Sequence, residues 1–401
     1  MTTRLTEETR FRAAHFLFWA MSAAVLGYWV MYFEGERQLA ASEIGVMMSL
    51  SVGAALVGQY AFGLLCDHLR SSRWPIVAAA LSFAAVAAAL PLVTGTVWIR
   101  VALALLGFFQ QPIGPMLDAW TLRFLDRDGA AHRFGRIRGF GSLGWAVTAL
   151  ATAFLVVGVS WNALFIVAVV AAVLLAAVVA MLPAAAAADD GRMANRASFA
   201  PGRALARLGG NPRYVFLLAV VFLMYLGVQT TFNYQGLLIK GAGGGVIELG
   251  WTFFFGVMCE MPAMFLAAWW LPRSSPRRLM IVAGILYMVR YALIIFFQTA
   301  WIVTATACLE GLAFGLLLSA LRAAVFAVVD EEVQTLAMTV VDATFLGLTV
   351  LVGGVVGGWV IERSSVFHLV AACAACSGIA VGLLMAGGRF DVPAAAERSS
   401  S

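Results

Sequence analysis

Residues 162–182 read NALFIVAVVAAVLLAAVVAML, and residues 183–211 read PAAAAADDGRMANRASFAPGRALARLGGN. The first string holds no charge and is as long as the ~20 apolar residues a helix needs to cross a bilayer. The second mixes Ala, Gly, Arg and Asp without an apolar period, and reads as a flexible connection. Counting outward from this junction gives six apolar runs on each side. They cover 15–34, 44–66, 74–94, 97–122, 137–159 and 162–182, then 213–235, 247–271, 278–298, 300–326, 335–361 and 366–387. The expected fold is all-α and integral to a membrane. It has twelve transmembrane helices in two six-helix halves, 1–182 and 213–401, joined by a linker at 183–212.

Composition agrees. The chain has 401 residues, 62% hydrophobic and 12% charged, with a mean hydropathy of +0.92. A soluble domain carries about 25% charged residues. Lys240 is the only lysine among many arginines and alanines, a composition that points to a GC-rich bacterial genome. The net charge of +5 is distributed as a topology signal and not as a nucleic-acid surface. Twenty cationic residues, from Arg4 to Arg398, fall in segments assigned to one side, and only Arg37, Arg100, Lys240 and Arg363 fall on the other. By the positive-inside rule both termini are cytoplasmic, which places the chain in a bacterial inner membrane. The opening MTTRLTEETRFRAAH is polar, no small-residue cleavage site follows, and the first run is read as a retained helix. Cys66, Cys259, Cys308, Cys373 and Cys376 all lie in or beside apolar runs. Cys373 and Cys376 have CxxC spacing but read as small residues for helix packing, not as a metal site.

Six ionisable residues sit inside these runs: Asp118, Arg138, Glu260, Arg290, Glu310 and Asp342. Each costs roughly 2.5–3.5 kcal/mol at a helix centre on insertion scales, so such groups must face one another, a cavity or a substrate. Arg138 and Trp145 lie two helical turns apart on one face. An arginine fork beside an aromatic plate suits a ligand with hydroxyls or a carboxylate on one side and an apolar face on the other. A structural Asp118–Arg138 salt bridge with Trp145 as packing is the other reading.

In the second half, Glu260, Arg290 and Glu310 sit at similar depths. Two acids and one arginine leave one acid over, and an unpartnered carboxylate in an apolar setting binds a proton near neutral pH. Glu310 is the expected proton carrier, with Glu260 paired to Arg290; the reverse pairing stays open. Asp342 is a second protonatable candidate or a partner for Arg322. Gln229, Asn233 and Tyr234, with Tyr28, Trp29 and Tyr32, are candidates to line a path. Gly353, Gly354, Gly357 and Gly358 read as a packing face. His15, His68, His132 and His368 lie apart at or near span ends. No HExxH, phosphate-binding loop or nucleophile elbow occurs. The expectation is therefore a protein that is not an enzyme and needs no cofactor or metal.

Twelve spans in a six-plus-six plan with a polar central linker resemble the major facilitator superfamily. The loop Gly63-Leu-Leu-Cys-Asp67-His-Leu-Arg70-Ser-Ser-Arg73 resembles that superfamily's GxxxD(R/K)xGRR-type gating signature, departing at His68 and at Ser71–Ser72. In it, Gly63 would allow close helix approach, Asp67 would cap or pair, and Arg70 and Arg73 would hold the inner surface. The stretch Phe134-Gly135-Arg136-Ile137-Arg138-Gly139-Phe140-Gly141-Ser142-Leu143-Gly144-Trp145 resembles the start of helix five in the lactose-permease and phenylpropionate-permease branch. Asp118 matches that branch's fourth-helix acid, one methylene shorter than its Glu. The resemblance implies that Asp118, Arg138 and Trp145 bind substrate. It implies that Glu260, Arg290 and Glu310 stand where the branch has an acid, an arginine and a histidine. Ala313 and Ala263 replace the branch's proton-carrying glutamate and sugar-contacting asparagine.

The function expected is secondary active transport by alternating access. A small organic solute (a sugar, a nucleoside or an aromatic acid) would enter by proton-coupled symport through a monomer in lipid, with no nucleic acid involved. An exporter of the same fold, for a drug, a metabolite or a siderophore, and a transporter-like receptor are the alternatives.

Overall fold

The structure, a computed structural model, describes residues 2–126, 129–182 and 201–387. Among them are twelve helices long and apolar enough to cross a membrane. They are, in order, Thr6–Gly35, Ala41–Leu69, Arg73–Leu92, Thr96–Asp126, Phe134–Gly158, Asn162–Ala180, Pro212–Asn233, Val246–Arg273, Pro276–Phe297, Ala300–Val328, Glu331–Arg363 and Val366–Ala386. These are called spans one to twelve. Every expected run is present, most within a few residues.

Span one departs most, because its helix begins at Thr2 and carries the polar opening with it. The Glu8 carboxylate lies 2.8 Å from Arg133 and 3.3 Å from Arg12, which neutralises that face. Phe11 is fully buried, with its ring 5.8 Å from Trp120 and 4.9 Å from Phe124. The expected linker is helical in part. Pro201–Gly209 forms a nine-residue helix with Ala204 and Leu208 buried, an i,i+4 pair too short to read as a period. Residues 183–200 of the linker lie outside the described residues.

The chain divides into two compact units. The first is Met1–Ala188 with Gly245–Phe254; the second is Asp189–Gly244 with Phe255–Ser401. Within the first, span one packs on spans five and six, span two on span four, and span three on span six; within the second, span nine packs on spans ten and twelve, and span seven on spans eleven and twelve. The units repeat one another at an offset of about 205 residues, as expected of transporter halves.

The repeat is visible in detail. Span one breaks at Tyr28, which opens the seven-residue helix Trp29–Gly35. Span seven ends at Tyr234, which opens the seven-residue helix Gln235–Gly241. Tyr28 donates its hydroxyl hydrogen bond to Ala149 O, and Tyr234 donates to Gly354 O, both at 2.6 Å. A Cβ added to Gly107 would lie 2.3 Å from Ser51 O, and one added to Gly311 would lie 1.9 Å from Gly256 O. Spans two and four, and spans eight and ten, therefore approach at matching points where only a glycine fits. Span four also breaks at Gln111–Pro112 and span ten at Thr306, so a break recurs every third span, although these two lie about ten residues out of register with the offset. Proline explains the first of these, since it cannot donate to the preceding turn.

The Gly353–Gly358 face performs as expected. A Cβ on Gly353 would meet Thr230 Oγ1 at 2.1 Å, and one on Gly357 would meet Tyr234 at 2.7 Å. Gly63 does not. It is exposed, nothing lies within 4 Å of the position its Cβ would take, and Gly58 makes the close approach instead, against Phe108 O.

Candidate functional site

In the first unit a polar track crosses spans one, four and five. Asp118 Oδ1 lies 3.5 Å from Arg138 Nε and 3.7 Å from His15 Nδ1. The acid and the arginine are each about a third exposed, while His15 is buried. Thr121 donates its one hydroxyl proton to Leu117 O at 2.8 Å, so it accepts from His15 Nε2–H at 3.0 Å. That bond fixes the tautomer and orients the ring beside the carboxylate. His15 is thus not a residue of a span end, as its polar sequence surroundings suggest, but a buried neighbour of Asp118 whose proton-free Nδ1 faces the carboxylate.

The aromatic plate under Arg138 is Trp19, which sequence reasoning missed. The Arg138 guanidinium carbon lies 4.7 Å from the Trp19 ring centroid, and the Trp19 and Trp145 rings meet edge-to-face at 5.8 Å. A Cβ on Gly141 would come within 2.4 Å of Trp19 and one on Gly144 within 2.3 Å of Phe16 O, so the two glycines let span one sit flat on span five. Trp145 is buried behind Trp19. Deeper along span one, Gln110 Nε2 donates to Ser22 Oγ at 2.8 Å, and both side chains are buried. Tyr28 is fully buried, and its hydroxyl is committed to Ala149 O.

In the second unit, Arg290 Nη2 lies 2.8 Å from Glu310 Oε2. Arg290 has no exposed side-chain surface and Glu310 has 13%. Of the two pairings the sequence left open, the described residues show Arg290 with Glu310. Pairing depends on which helix face turns toward span nine. The Glu260 backbone lies against span ten, where Cβ atoms on Gly311 and Gly315 would lie 2.9 Å from its N and 2.8 Å from its O. Gln235, just past the end of span seven, is within electrostatic reach of the Glu310 carboxylate, and its Nε2 is buried without a hydrogen-bond partner among the described residues. Arg290 Nε and Nη1 and the hydroxyls of Tyr287 and Tyr225 are buried without hydrogen-bond partners among the described residues. Tyr287 and Tyr291 stack at 6.2 Å. Gln229 and Asn233 are half-buried, and Asn233 Nδ2 is buried without a partner among the described residues. Asp342 is exposed, within electrostatic reach of Arg322.

The loop between spans two and three is tied to its own unit. Arg70 takes a left-handed conformation at φ +47° and closes span two. Arg73 donates to Leu182 O, and Arg123 donates to Ser72 Oγ at 2.9 Å. Asp67 is exposed.

Twelve spans in two related units, with ion pairs inside the helices and breaks beside them, define a multi-pass membrane transporter fold. Residues 9–372 match the family model described as the MFS_1 like family, and the chain belongs to that family, within the major facilitator superfamily. It is 27% identical to a maltose permease of Geobacillus stearothermophilus over 94% of each chain. It is 24% identical to an uncharacterized transporter, YwbF, of Bacillus subtilis, over 84% of this chain and 82% of that one. Among solved structures, the nucleoside transporter NupG superposes with a TM-score of 0.80 at 17% identity, covering 94% of this chain and 97% of that one. A D-xylose-proton symporter superposes at 0.70 and 13% identity, covering 96% and 97%.

Proposed function

We propose that this transporter carries a sugar or a nucleoside into a bacterial cell by proton-coupled symport, from an inner membrane with both termini cytoplasmic. One observation carries the reading: a half-open acid and arginine, Asp118 and Arg138, lie beside two indole rings, Trp19 and Trp145. Hydroxyls exchange hydrogen bonds with the carboxylate and the guanidinium, and the ring of the solute lies on an indole. The relatives named for maltose, D-xylose and nucleosides act on solutes of that kind, which favours them over an aromatic acid.

Glu310 is the coupling residue in this reading. A proton on its carboxylate removes the counter-charge of fully buried Arg290, so proton and arginine compete for one acid. Loading and unloading that proton from opposite sides drives the cycle. Arg290 and Glu260 support this step, and His15 packs beside Asp118.

Radiolabelled maltose, D-xylose and uridine, offered to proteoliposomes with and without an imposed proton gradient, test the proposal. Gradient-driven uptake of at least one, lost in Trp19→Ala and Arg138→Gln, is the result expected. Uptake that ignores the gradient sinks the coupling, and no uptake of any sinks the substrate class.

A further inference from the structure

The substrate-facing triad of the first unit has a counterpart about 205 residues later. Trp19 corresponds to Tyr225, Asp118 to Arg322, Arg138 to Asp342 and Gly141 to Phe345. The same offset relates Tyr28 to Tyr234, with their matching 2.6 Å bonds, and Gly107 to Gly311, so the alignment is anchored on both sides. The charges are exchanged: the acid of span four becomes an arginine in span ten, and the arginine of span five becomes an acid in span eleven. We infer that Tyr225, Arg322 and Asp342 form a second ligand-contacting subsite, which takes hydroxyls of a neutral polyhydroxylated ring. The inference rests on the sugar or nucleoside reading above.

Three independent features support it. Arg322 and Asp342 are both exposed, Arg322 in the last turns of span ten and Asp342 well inside span eleven, and an acid at that depth faces a polar path because lipid excludes charge. Tyr225 has no exposed surface and its hydroxyl has no hydrogen-bond partner among the described residues, yet it lies within electrostatic reach of Arg322, Asp342 and Glu260. Directly after Asp342 the helix widens into a π-helical stretch, Ala343–Leu348, a distortion that gathers at functional sites. The widening sets the Phe345 ring 4.0 Å from the Tyr225 ring, where the first unit has Gly141 against Trp19.

The exchanged signs decide the ligand class. Beside the aromatic of the first unit stands a donor, Arg138. The equivalent position in the second unit offers an acceptor, Asp342. Within the second unit, an anionic group gains at Arg322 and loses at Asp342, whereas a hydroxyl donates to Asp342 and accepts from Arg322 equally well.

A pair that merely ties span ten to span eleven works in either polarity, and this sets the test. Uptake of maltose, D-xylose and uridine into proteoliposomes is measured for Asp342→Asn, for Tyr225→Phe, for the reversed pair Arg322→Asp with Asp342→Arg, and for Asp118→Asn. The reversed pair keeps the melting temperature of the wild type and raises KM about ten-fold or more; Tyr225→Phe raises KM by about three-fold. A reversed pair with wild-type KM overturns the subsite. If the reversed pair does not fold, an unchanged KM in both Asp342→Asn and Tyr225→Phe overturns it instead. A raised KM in Asp118→Asn alone removes this inference and leaves the first-unit site standing. If Asp118→Asn is silent too, or if the wild type takes up none of the three solutes, the underlying reading falls as well.

Discussion

Replacing Glu310 by Gln removes the counter-charge 2.8 Å from Arg290, which has no exposed surface. At 2.8 Å and an effective dielectric of ~20, the lost attraction is about 6 kcal/mol. Removing one partner of a buried pair is known to cost about 3–5 kcal/mol, so the two figures agree in scale. The second figure is the better guide, because the neutral amide keeps one hydrogen-bond acceptor and recovers part of the loss. At about 1.4 kcal/mol per decade this destabilises the folded state by two to three powers of ten. Arg290→Gln costs less, since Glu310 is partly exposed and can take up a proton. The double variant, Arg290→Gln with Glu310→Gln, removes both charges and recovers most of the stability. Melting temperatures of the four proteins in one detergent form a double-mutant cycle. The expected order is wild type above the double variant, then Arg290→Gln, with Glu310→Gln lowest. A Glu310→Gln protein as stable as wild type, or a double variant below both singles, refutes the buried-pair argument.

His15→Ala removes the bond to Thr121 and the ring packed beside Asp118; KM for the transported solute should rise about five-fold with little change in kcat, read from initial rates of uptake. Gly144→Ala forces a Cβ against the Phe16 backbone and should cost about 1–3 kcal/mol, whereas Gly63→Ala enters open space and should stay within about 0.5 kcal/mol, both read by thermal melting. Tyr28→Phe and Tyr234→Phe each lose one buried hydrogen bond and should cost about the same, ~1 kcal/mol apiece; a strongly unequal pair of melts would contradict their equivalence in the repeat.

The spans were legible because a helix in lipid has to satisfy its own backbone and hide few charges, so apolar runs map onto helices almost one to one. What was not legible depends on rotation and on distant neighbours. Nothing in the run around Glu310 tells which of its faces meets span nine, so the Arg290 partner was open until the helices were placed. His15 and Trp19 open the first expected run, but that the helix begins earlier was hidden, because the residues that neutralise its polar start include Arg133, far along the chain. Gly63 belongs to a familiar-looking motif, but the helix contact falls at Gly58, more than a turn earlier. The repeat was hidden because equivalent positions keep a role and change the residue: Trp19 and Tyr225, or Asp118 and Arg322, share little as letters. The paired tyrosine bonds and the matching close approaches at Gly107 and Gly311 set the register.

Those two tyrosine bonds have a mechanical consequence. A broken rod held at its break by one hydroxyl is a hinge with its pin in place. The short segments Trp29–Gly35 and Gln235–Gly241 can tilt without dragging the long helices before them, because the break interrupts the backbone ladder. The pin, however, fastens each break to a partner 121 or 120 residues away in sequence. Force applied to either short segment therefore reaches span five or span eleven before it reaches the rest of its own helix.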